Sequence, residues 1–446
     1  MQKRIVILGS GESGTGAAIL AQREGFDVFV SDKGTIRDTY KKKLQTAGVA
    51  FESGTHSFDK ILNADEIIKS PGIPEKTELM QQVRASGIPV IGEIEFAWRY
   101  CKGKVIAITG SNGKSTCTAL THHVLKQAGL NVAMGGNIGK SFAELVANTT
   151  HAYYVLEVSN FQLDDALTFK PFISVLLNIT PDHLDSYDYQ FERYIASKFR
   201  ITMNQDAQDI FIYCADDPVT AAHQHLVMTH PVTYTFTLHD QPCAGGWISD
   251  NTIHIQLNNQ NKFKMTINEL ALQGKHNQYN SMAAAIVGKV LDIKNENIRE
   301  SLMDFTGLEH RLEFVAKVHG MTFINDSKAT NVNSTWYALE SQHEPVIWIA
   351  GGIDKGNDYS QITELVKKKV KAIVCLGKDN TKLHEAFGRH VDIIINTDNM
   401  SDCVDMAYRL GNNGDVVLLS PACASFDLFE NFEDRGNQFK AKVRAL

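Results

Sequence analysis

The chain has 446 residues, more than one hydrophobic core usually serves, so about three domains are expected. Its hydrophobic fraction of 43% is that of a globular protein and excludes disorder as the default. A formal net charge of −7, with both signs mixed along the chain, argues against a nucleic-acid binder driven by phosphate neutralisation. Seven cysteines, an odd number with no CxxC pair, argue against a disulfide framework or a zinc knuckle. They fit a reducing compartment, so a cytoplasmic location is expected. The apolar run at 5–8 is too short for a signal peptide, and no later run reaches the ~20 residues of a spanning helix, so no membrane insertion is expected.

In chain order, a strand at 4–8 leads through a glycine-rich turn to a helix near 17–24. A strand at 26–30 then ends at Ser31-Asp32, and short strands follow at 66–69 and 89–91. Alternating strands and helices predict a parallel α/β sheet. A second unit opens with a strand at 105–109, a glycine-rich loop and a helix over 115–128. Near-continuous apolar runs at 153–156 and 173–177 read as buried strands. A helix over 190–202, a β-rich stretch at 232–267 and a helix over 277–291 complete that unit. Alternation restarts in a third unit, with strands at 321–324, 346–350, 372–376, 392–395 and 416–419. The expected domains are 1–93, 94–306 and 307–446.

The strand at 105–109 runs into Gly110-Ser111-Asn112-Gly113-Lys114-Ser115-Thr116 and then a helix. Successive backbone N–H groups at a helix N-terminus make an anion site. Lys114 can reach the β- and γ-phosphates and the Ser115 hydroxyl can bind Mg²⁺, so this segment is expected to bind ATP. The usual spacing places a glycine five residues before Gly113. Ile108 stands there, so the loop is a shortened variant. The strand at 153–156 ends at Glu157, and the next leads to Asn178-Ile179-Thr180-Pro181-Asp182-His183. Ligands gather at the carboxyl ends of strands in open α/β sheets, so Glu157 and His183 are candidate Mg²⁺ ligands, with Asp182 and Asp185 as rivals. Lys198 follows Phe191, Tyr194 and Ile195 at helical spacings and so points with their apolar stripe. A buried ammonium must be paired, neutral or modified; alternatively its stem lies on the stripe while its head reaches water.

Near the N-terminus, Gly9-Ser10-Gly11-Glu12-Ser13-Gly14 fits G-x-G-x-x-G between strand and helix, and Asp32 closes the next strand. Alone, this suggests a nicotinamide or flavin dinucleotide. The same geometry also holds the diphosphate of a UDP-sugar. A hydride-transferring oxidoreductase would leave the second-domain loop, Glu157 and Lys198 idle, and a non-catalytic nucleotide sensor is a further alternative.

Several separate motifs then resemble the Mur ligases of peptidoglycan precursor synthesis, in order over the whole chain. They are the 110–116 loop, Gly136-Asn137-Ile138-Gly139, Glu157-Val158-Ser159-Asn160-Phe161-Gln162, Asp182-His183-Leu184-Asp185, Gly274-Lys275-His276-Asn277, His310-Arg311, Asn325-Asp326-Ser327-Lys328-Ala329-Thr330-Asn331 and the closing run 420–437. The resemblance implies an N-terminal Rossmann-like UDP-binding domain, a central ATPase with a parallel sheet and a small β part, and a C-terminal Rossmann-like domain. It implies a ligase that activates a carboxylate as an acyl phosphate for attack by an amine. The closing run is most similar to members that join D-glutamate to UDP-N-acetylmuramoyl-L-alanine; sister ligases adding lysine or meso-diaminopimelate are the nearest rivals.

On this resemblance, Lys114, Asn137, Glu157, His183 and Lys198 are the expected catalytic set, with Lys198 carrying a carbamate. Ser115 and Glu157 would hold one Mg²⁺, and His183 with modified Lys198 a second. Asn277, Asn280, Arg311 and Asp326 would join the 110–116 loop on ATP. Ser13, Asp32, Lys33 and Ser70 would touch the UDP-sugar, and Asn137, Ser159 and Gln162 would lie by the reacting substrate. Lys328, Thr330, Lys355, Ser425, Phe426 and Phe432 would hold the incoming amino acid. A monomer acting on small molecules is expected.

Overall fold

Short apolar runs too uniform to alternate become strands covered on both faces, and they build three sheets. The structure is a computed structural model that describes residues 2–240, 244–257 and 262–446. The first sheet contains β1 (Arg4–Leu8), β2 (Asp27–Asp32), β3 (Ala50–Ser53), β4 (Glu66–Lys69) and β5 (Val90–Gly92). They run parallel in the order β3-β2-β1-β4-β5. β1 lies at the centre, and Ile5 to Leu8 are fully buried, as expected for a parallel strand covered on both faces.

The second sheet takes β6 (Lys104–Thr109), β7 (Val132–Gly136), β8 (Tyr153–Glu157), β9 (Ile173–Leu176), β10 (Ile210–Cys214) and β11 (Val232–Phe236) in parallel. It is extended by β12 (Gly245–Ser249), β13 (Thr252–Gln256) and β14 (Phe263–Thr266). The order is β14-β13-β12-β11-β10-β9-β6-β8-β7, with β13 antiparallel to both β12 and β14. β6 therefore sits between β8 and β9, and the segments leaving these three strands emerge side by side. The third sheet, β15 (Glu313–Val318), β16 (Met321–Asn325), β17 (Val346–Ala350), β18 (Val370–Leu376), β19 (Ile393–Thr397) and β20 (Val416–Leu419), has the order β15-β16-β20-β17-β18-β19. Only β15 is antiparallel to its neighbour.

The expected α/β architecture with three mostly parallel sheets is present. Strands at 346–350 and 416–419 match their expected bounds, whereas β3, β7, β10 and β15 were not singled out. β7 ends in two glycines, and β15 is an edge strand with Phe314 exposed, so neither shows the uniform apolar run that marks a buried parallel strand. The first helix spans Glu12–Arg23, earlier than expected, because the glycine turn already ends at Gly11. Among the described residues no helix is long and apolar enough to cross a membrane.

The chain forms two compact units, Met1–Phe305 and Thr306–Leu446. Within the first, helix Glu93–Tyr100 joins the first two sheets through buried carboxylates. Glu95 accepts backbone N–H groups from Leu167, Thr168 and Phe169 at 2.8–3.0 Å, and the Thr168 hydroxyl at 2.6 Å. Glu93 accepts the Ala143 N–H at 2.5 Å. Burial, with Glu12 adding repulsion, pushes the Glu93 carboxyl from 4.5 up to about 8. The folded chain thus keeps a proton that the unfolded chain releases above about 4.5. The stability this contributes is full below 4.5 and is lost as pH rises through 8. Glu93→Gln should melt with the wild type at pH 5 and above it at pH 8.5. The difference should be a few kcal/mol at most, since one pKa unit corresponds to about 1.4 kcal/mol. Melting curves at the two pH values check this.

Candidate functional site

At the carboxyl end of β6 the backbone turns through Gly110 (φ +150°) and Gly113 (φ +83°) into helix Lys114–Gln127. Both glycines occupy conformations that a side chain disfavours. The loop is fixed from outside. Asn178, just beyond β9, accepts the Asn112 N–H at its side-chain oxygen (2.8 Å) and donates its amide to the Asn112 carbonyl (3.1 Å); its own carbonyl accepts the Ser111 N–H (2.9 Å). The Ser111 hydroxyl donates to the Thr180 carbonyl, accepts the Thr180 N–H, and lies 2.9 Å from the Tyr194 hydroxyl. Lys114 curls back so that its ammonium donates to the Gly110 and Ser111 carbonyls, each at 2.8 Å. Ser115 and Thr116 are buried in the first helical turn. Asn280 packs against Gly113 and donates its amide to Asn277.

At the end of β8, the Asn137 amide donates to the Glu157 carboxylate at 2.8 Å, and the Asn137 N–H donates to the Glu157 carbonyl at 2.9 Å. Lys198 is 1% exposed, which overturns the reading in which its head reaches water. Its ammonium donates to the Gly110 carbonyl at 3.0 Å and lies 4.7 Å from the centre of the Tyr194 ring. Burial, reinforced by the Lys114 charge, holds Lys198 well below the ordinary lysine range. The carboxylates of Asp182, Asp164 and Glu157 oppose that shift. His183 (φ +52°) is half-buried beside Asp182 and the Phe161 ring, whereas Asp185 is exposed. The Ser159 and Gln162 side chains close a reciprocal capping box on helix Asn160–Asp164.

In the first sheet, Asp32 accepts the N–H and hydroxyl of Ser10 at 2.7 and 2.6 Å and the Gly34 N–H at 2.8 Å, bracing the glycine turn. A side chain at Gly14 would bring its Cβ to 1.9 Å from the Gly9 carbonyl oxygen, so the turn tolerates only glycine there. Ser70, directly after β4, faces Gly9. Its buried hydroxyl has no hydrogen-bond partner among the described residues. Ser13 is half-buried and Lys33 exposed.

The second unit has its own cluster. β20 lies between β16 and β17, so the crevice beyond their carboxyl ends is the place where ligands bind such sheets. A cavity of about 370 Å³ opens next to it, beyond the carboxyl ends of β17 and β18, lined by Gly351, Gly352, Asp354, Lys378, Asn380 and Asp427 among others. Asp326 accepts the Ser420 hydroxyl at 2.9 Å, and burial pushes its carboxyl up to about 6 against the opposing charge of Arg311. The Lys328 ammonium lies 5.2 Å from the centre of the Phe432 ring. Arg435, 1% exposed, donates to the Ser327 hydroxyl and carbonyl and to the Cys423 carbonyl, tying together the segments that carry Lys328 and Ser425. Ser425 is buried, Thr330 half-buried, and Lys355 and Phe426 are exposed.

Profiles of the Mur ligase family match along the chain: the MurD-like N-terminal domain at 3–92, the middle domain at 108–288 and the glutamate ligase domain at 310–423. The chain is 53% identical to the UDP-N-acetylmuramoylalanine–D-glutamate ligase of Christiangramia forsetii, with all of both chains covered. It is 52% identical to the protein of the same name from Bacteroides fragilis, again over both full lengths. The chain belongs to the Mur ligase family. The fold is also that of the UDP-N-acetylmuramate–alanine ligase of Thermotoga maritima, with a TM-score of 0.65 at 17% identity, covering both chains entirely.

In this Mur ligase the structure brings together Gly110 to Thr116, Asn277 and Asn280 around one loop, Asn137 with Glu157, and Lys198 with the Gly110 carbonyl. Sequence reasoning missed the Asn178 clamp and the Tyr194 hydroxyl. Tyr194 reads as one more member of an apolar stripe, and only its polar end betrays a second task. The signal for Asn178 is a polar side chain just beyond the carboxyl end of a buried strand, ahead of the acidic groups of the same loop.

Proposed function

We propose that the protein joins D-glutamate to UDP-N-acetylmuramoyl-L-alanine with hydrolysis of ATP to ADP and phosphate. The observation that carries this reading is the clamped 110–116 loop, with Lys114, Glu157 and Lys198 gathered at the ends of adjacent strands. Full-length relatives of that name support the choice of substrates. The assigned domains are 1–93 for the UDP-sugar, 94–306 for ATP and 307–446 for the amino acid.

A carboxylate oxygen of the sugar-linked alanine attacks the γ-phosphorus, and the bond to the β–γ bridging oxygen breaks to release ADP. The amine of D-glutamate then attacks the acyl carbonyl, phosphate leaves, and the amine loses a proton. The chain's work is positioning and charge neutralisation. Lys114 leaves its loop carbonyls for the phosphates, whose oxygens also meet the N–H groups of 113–116, while Asn178 keeps those of Ser111 and Asn112. Asn137 holds the Glu157 carboxylate in place and stands near the reacting acid. Asn277, Asn280, Arg311 and Asp326 are assigned to the nucleotide.

The Ser115 hydroxyl and the buried Glu157 carboxylate are hard oxygen donors, which fits Mg²⁺. Bound Mg²⁺ offsets phosphate charge; Ser115 and Glu157 would hold one ion, and His183 with Lys198 the other. Lys198 fits carbamylation because its buried amine favours the neutral, nucleophilic form. The amine adds to CO₂ and releases one proton, turning a costly cation into an anion. Ser13, Asp32, Lys33 and Ser70 are assigned to the UDP-sugar, with Ser159 and Gln162 near its acid end. Lys328, Thr330, Lys355, Ser425, Phe426 and Phe432 are assigned to the dicarboxylate, for which fixed donors and positive charge are needed.

Phosphate release is the direct test, measured with UDP-N-acetylmuramoyl-L-alanine, ATP, Mg²⁺ and a panel of D-glutamate, L-lysine and meso-diaminopimelate. Turnover with D-glutamate alone is expected. Turnover with lysine and none with D-glutamate would overturn the assignment.

A further inference from the structure

Lys69 ends β4 immediately before Ser70, and no step above uses it. Its side chain is 7% exposed, and its ammonium meets the Asp165 carboxylate at 3.0 Å and the Glu75 carboxylate at 3.1 Å. The same nitrogen lies 3.5 Å from the Ile73 carbonyl, so it also reaches across the loop that starts at Ser70. Asp165 is 9% exposed in its side chain and caps the carboxyl end of helix Asn160–Asp164, the helix that begins beyond Glu157 and Ser159. Its carbonyl accepts the Gly92 N–H at 3.0 Å, and a Cβ at Gly92 would press on its own Cβ at 3.0 Å. Asp165 is thereby anchored to the first sheet by both backbone and side chain. Glu75 is half exposed and shared with Arg84, so it is the weaker partner.

The ion pair therefore spans two structural layers. On one side is the 70–74 loop, whose Ser70 hydroxyl is buried, unpartnered and aimed beside the Gly9 turn. On the other is the strand–helix segment that carries Glu157. An ammonium and a carboxylate buried together are strongly interdependent. Removing Lys69 leaves Asp165 as an uncompensated charge in a dry place, and removing Asp165 leaves Lys69 with only the half-exposed Glu75 carboxylate, so the backbone around the pair must move.

We propose that Lys69 is a positioning residue for the UDP-linked substrate: its ion pair with Asp165 holds the Ser70 loop in register with the Glu157–Asp165 segment, so that the two ends of one substrate are presented at a fixed separation. The proposal rests on the assignment of that loop to the UDP-sugar. A substrate held at its nucleotide end by one domain and reacting at its acid end on the next needs such a spacer, because a shift of about 1 Å at the reacting centre is costly.

Steady-state kinetics and direct titration of UDP-N-acetylmuramoyl-L-alanine into the full-length protein test it, with ATP binding and thermal melting as controls. K69M and D165N should each raise the KM and Kd for the UDP-substrate about tenfold and leave the KM for ATP within twofold. The double variant should be no worse than the worse single one, which marks a shared interaction. K69R, which keeps the charge, should recover most of the affinity. If K69M does not fold, D165N, nearly the same shape as the wild type, still decides the matter. UDP-substrate constants within twofold of wild type in both variants, additive losses in the double variant, or an equal rise in the KM for ATP would overturn the proposal. A wild-type protein that neither binds nor turns over the UDP-substrate would instead overturn the functional assignment on which it rests.

Discussion

Lys114→Ala is expected to lower kcat on the order of 10²- to 10³-fold while the protein still folds. Removing one preorganised donor from developing charge typically costs about that much. Here the ammonium is held within its own loop by the Gly110 and Ser111 carbonyls. Its loss from the folded state removes two hydrogen bonds to partly buried carbonyls. Each is worth about 1 kcal/mol, so the melting temperature should fall modestly. Because the Ser70 loop and the glycine turn at 9–14 are untouched, binding of the UDP-substrate should hold within about twofold. Phosphate-release rates, melting curves and titration of the UDP-substrate separate these outcomes. Full activity in Lys114→Ala would remove the phosphate loop from the mechanism.

The second large effect concerns Lys198. Lys198→Arg is expected to lose activity at least 10²-fold, since a guanidinium keeps its charge and cannot take up CO₂. Intact mass spectrometry at mildly alkaline pH with bicarbonate should show the wild type heavier by one CO₂, lost on acidification and absent in Lys198→Arg. The pH trend has a definite sign. Burial and the Lys114 charge depress the folded-state pKa of the unmodified amine, so the unfolded chain binds the extra proton between that value and the ordinary lysine value. Stability therefore rises with pH across that window, and is lost as pH falls toward the folded-state value. Full activity of Lys198→Arg at ambient and low CO₂ would sink the carbamate.

The phosphate loop was legible in the sequence because backbone N–H cradles need glycines at fixed places, and a cation following them has few structural uses. Lys198 was legible as an anomaly, a charge at helical spacing within an apolar stripe, although spacing alone left its state open until burial excluded a solvated head. Ser159 and Gln162 show the opposite case. Their S-x-x-Q spacing is also a capping signature, and the structure engages both side chains on the helix they start. Lys69 and Asp165 could not be paired from sequence. They are 96 positions apart, one at the end of a strand of the first sheet and the other at the end of a helix beyond the second, and nothing local marks either as buried. β15 and β7 escaped for a related reason, since glycine and edge exposure erase the periodicity that announces a strand.

Tyr194 and Lys198 lie four positions apart on helix Phe191–Phe199, and they grip Ser111 and Gly110, two consecutive residues of the loop. Like two rungs of a ladder, they lock the roll of that helix to the shape of the cradle. A neighbouring face of the same helix is seated by Ser197, whose hydroxyl accepts from the Tyr187 hydroxyl and donates to the Asn160 carbonyl. A small change at that seat would be felt as weaker nucleotide affinity, because the helix cannot turn without prising the cradle open.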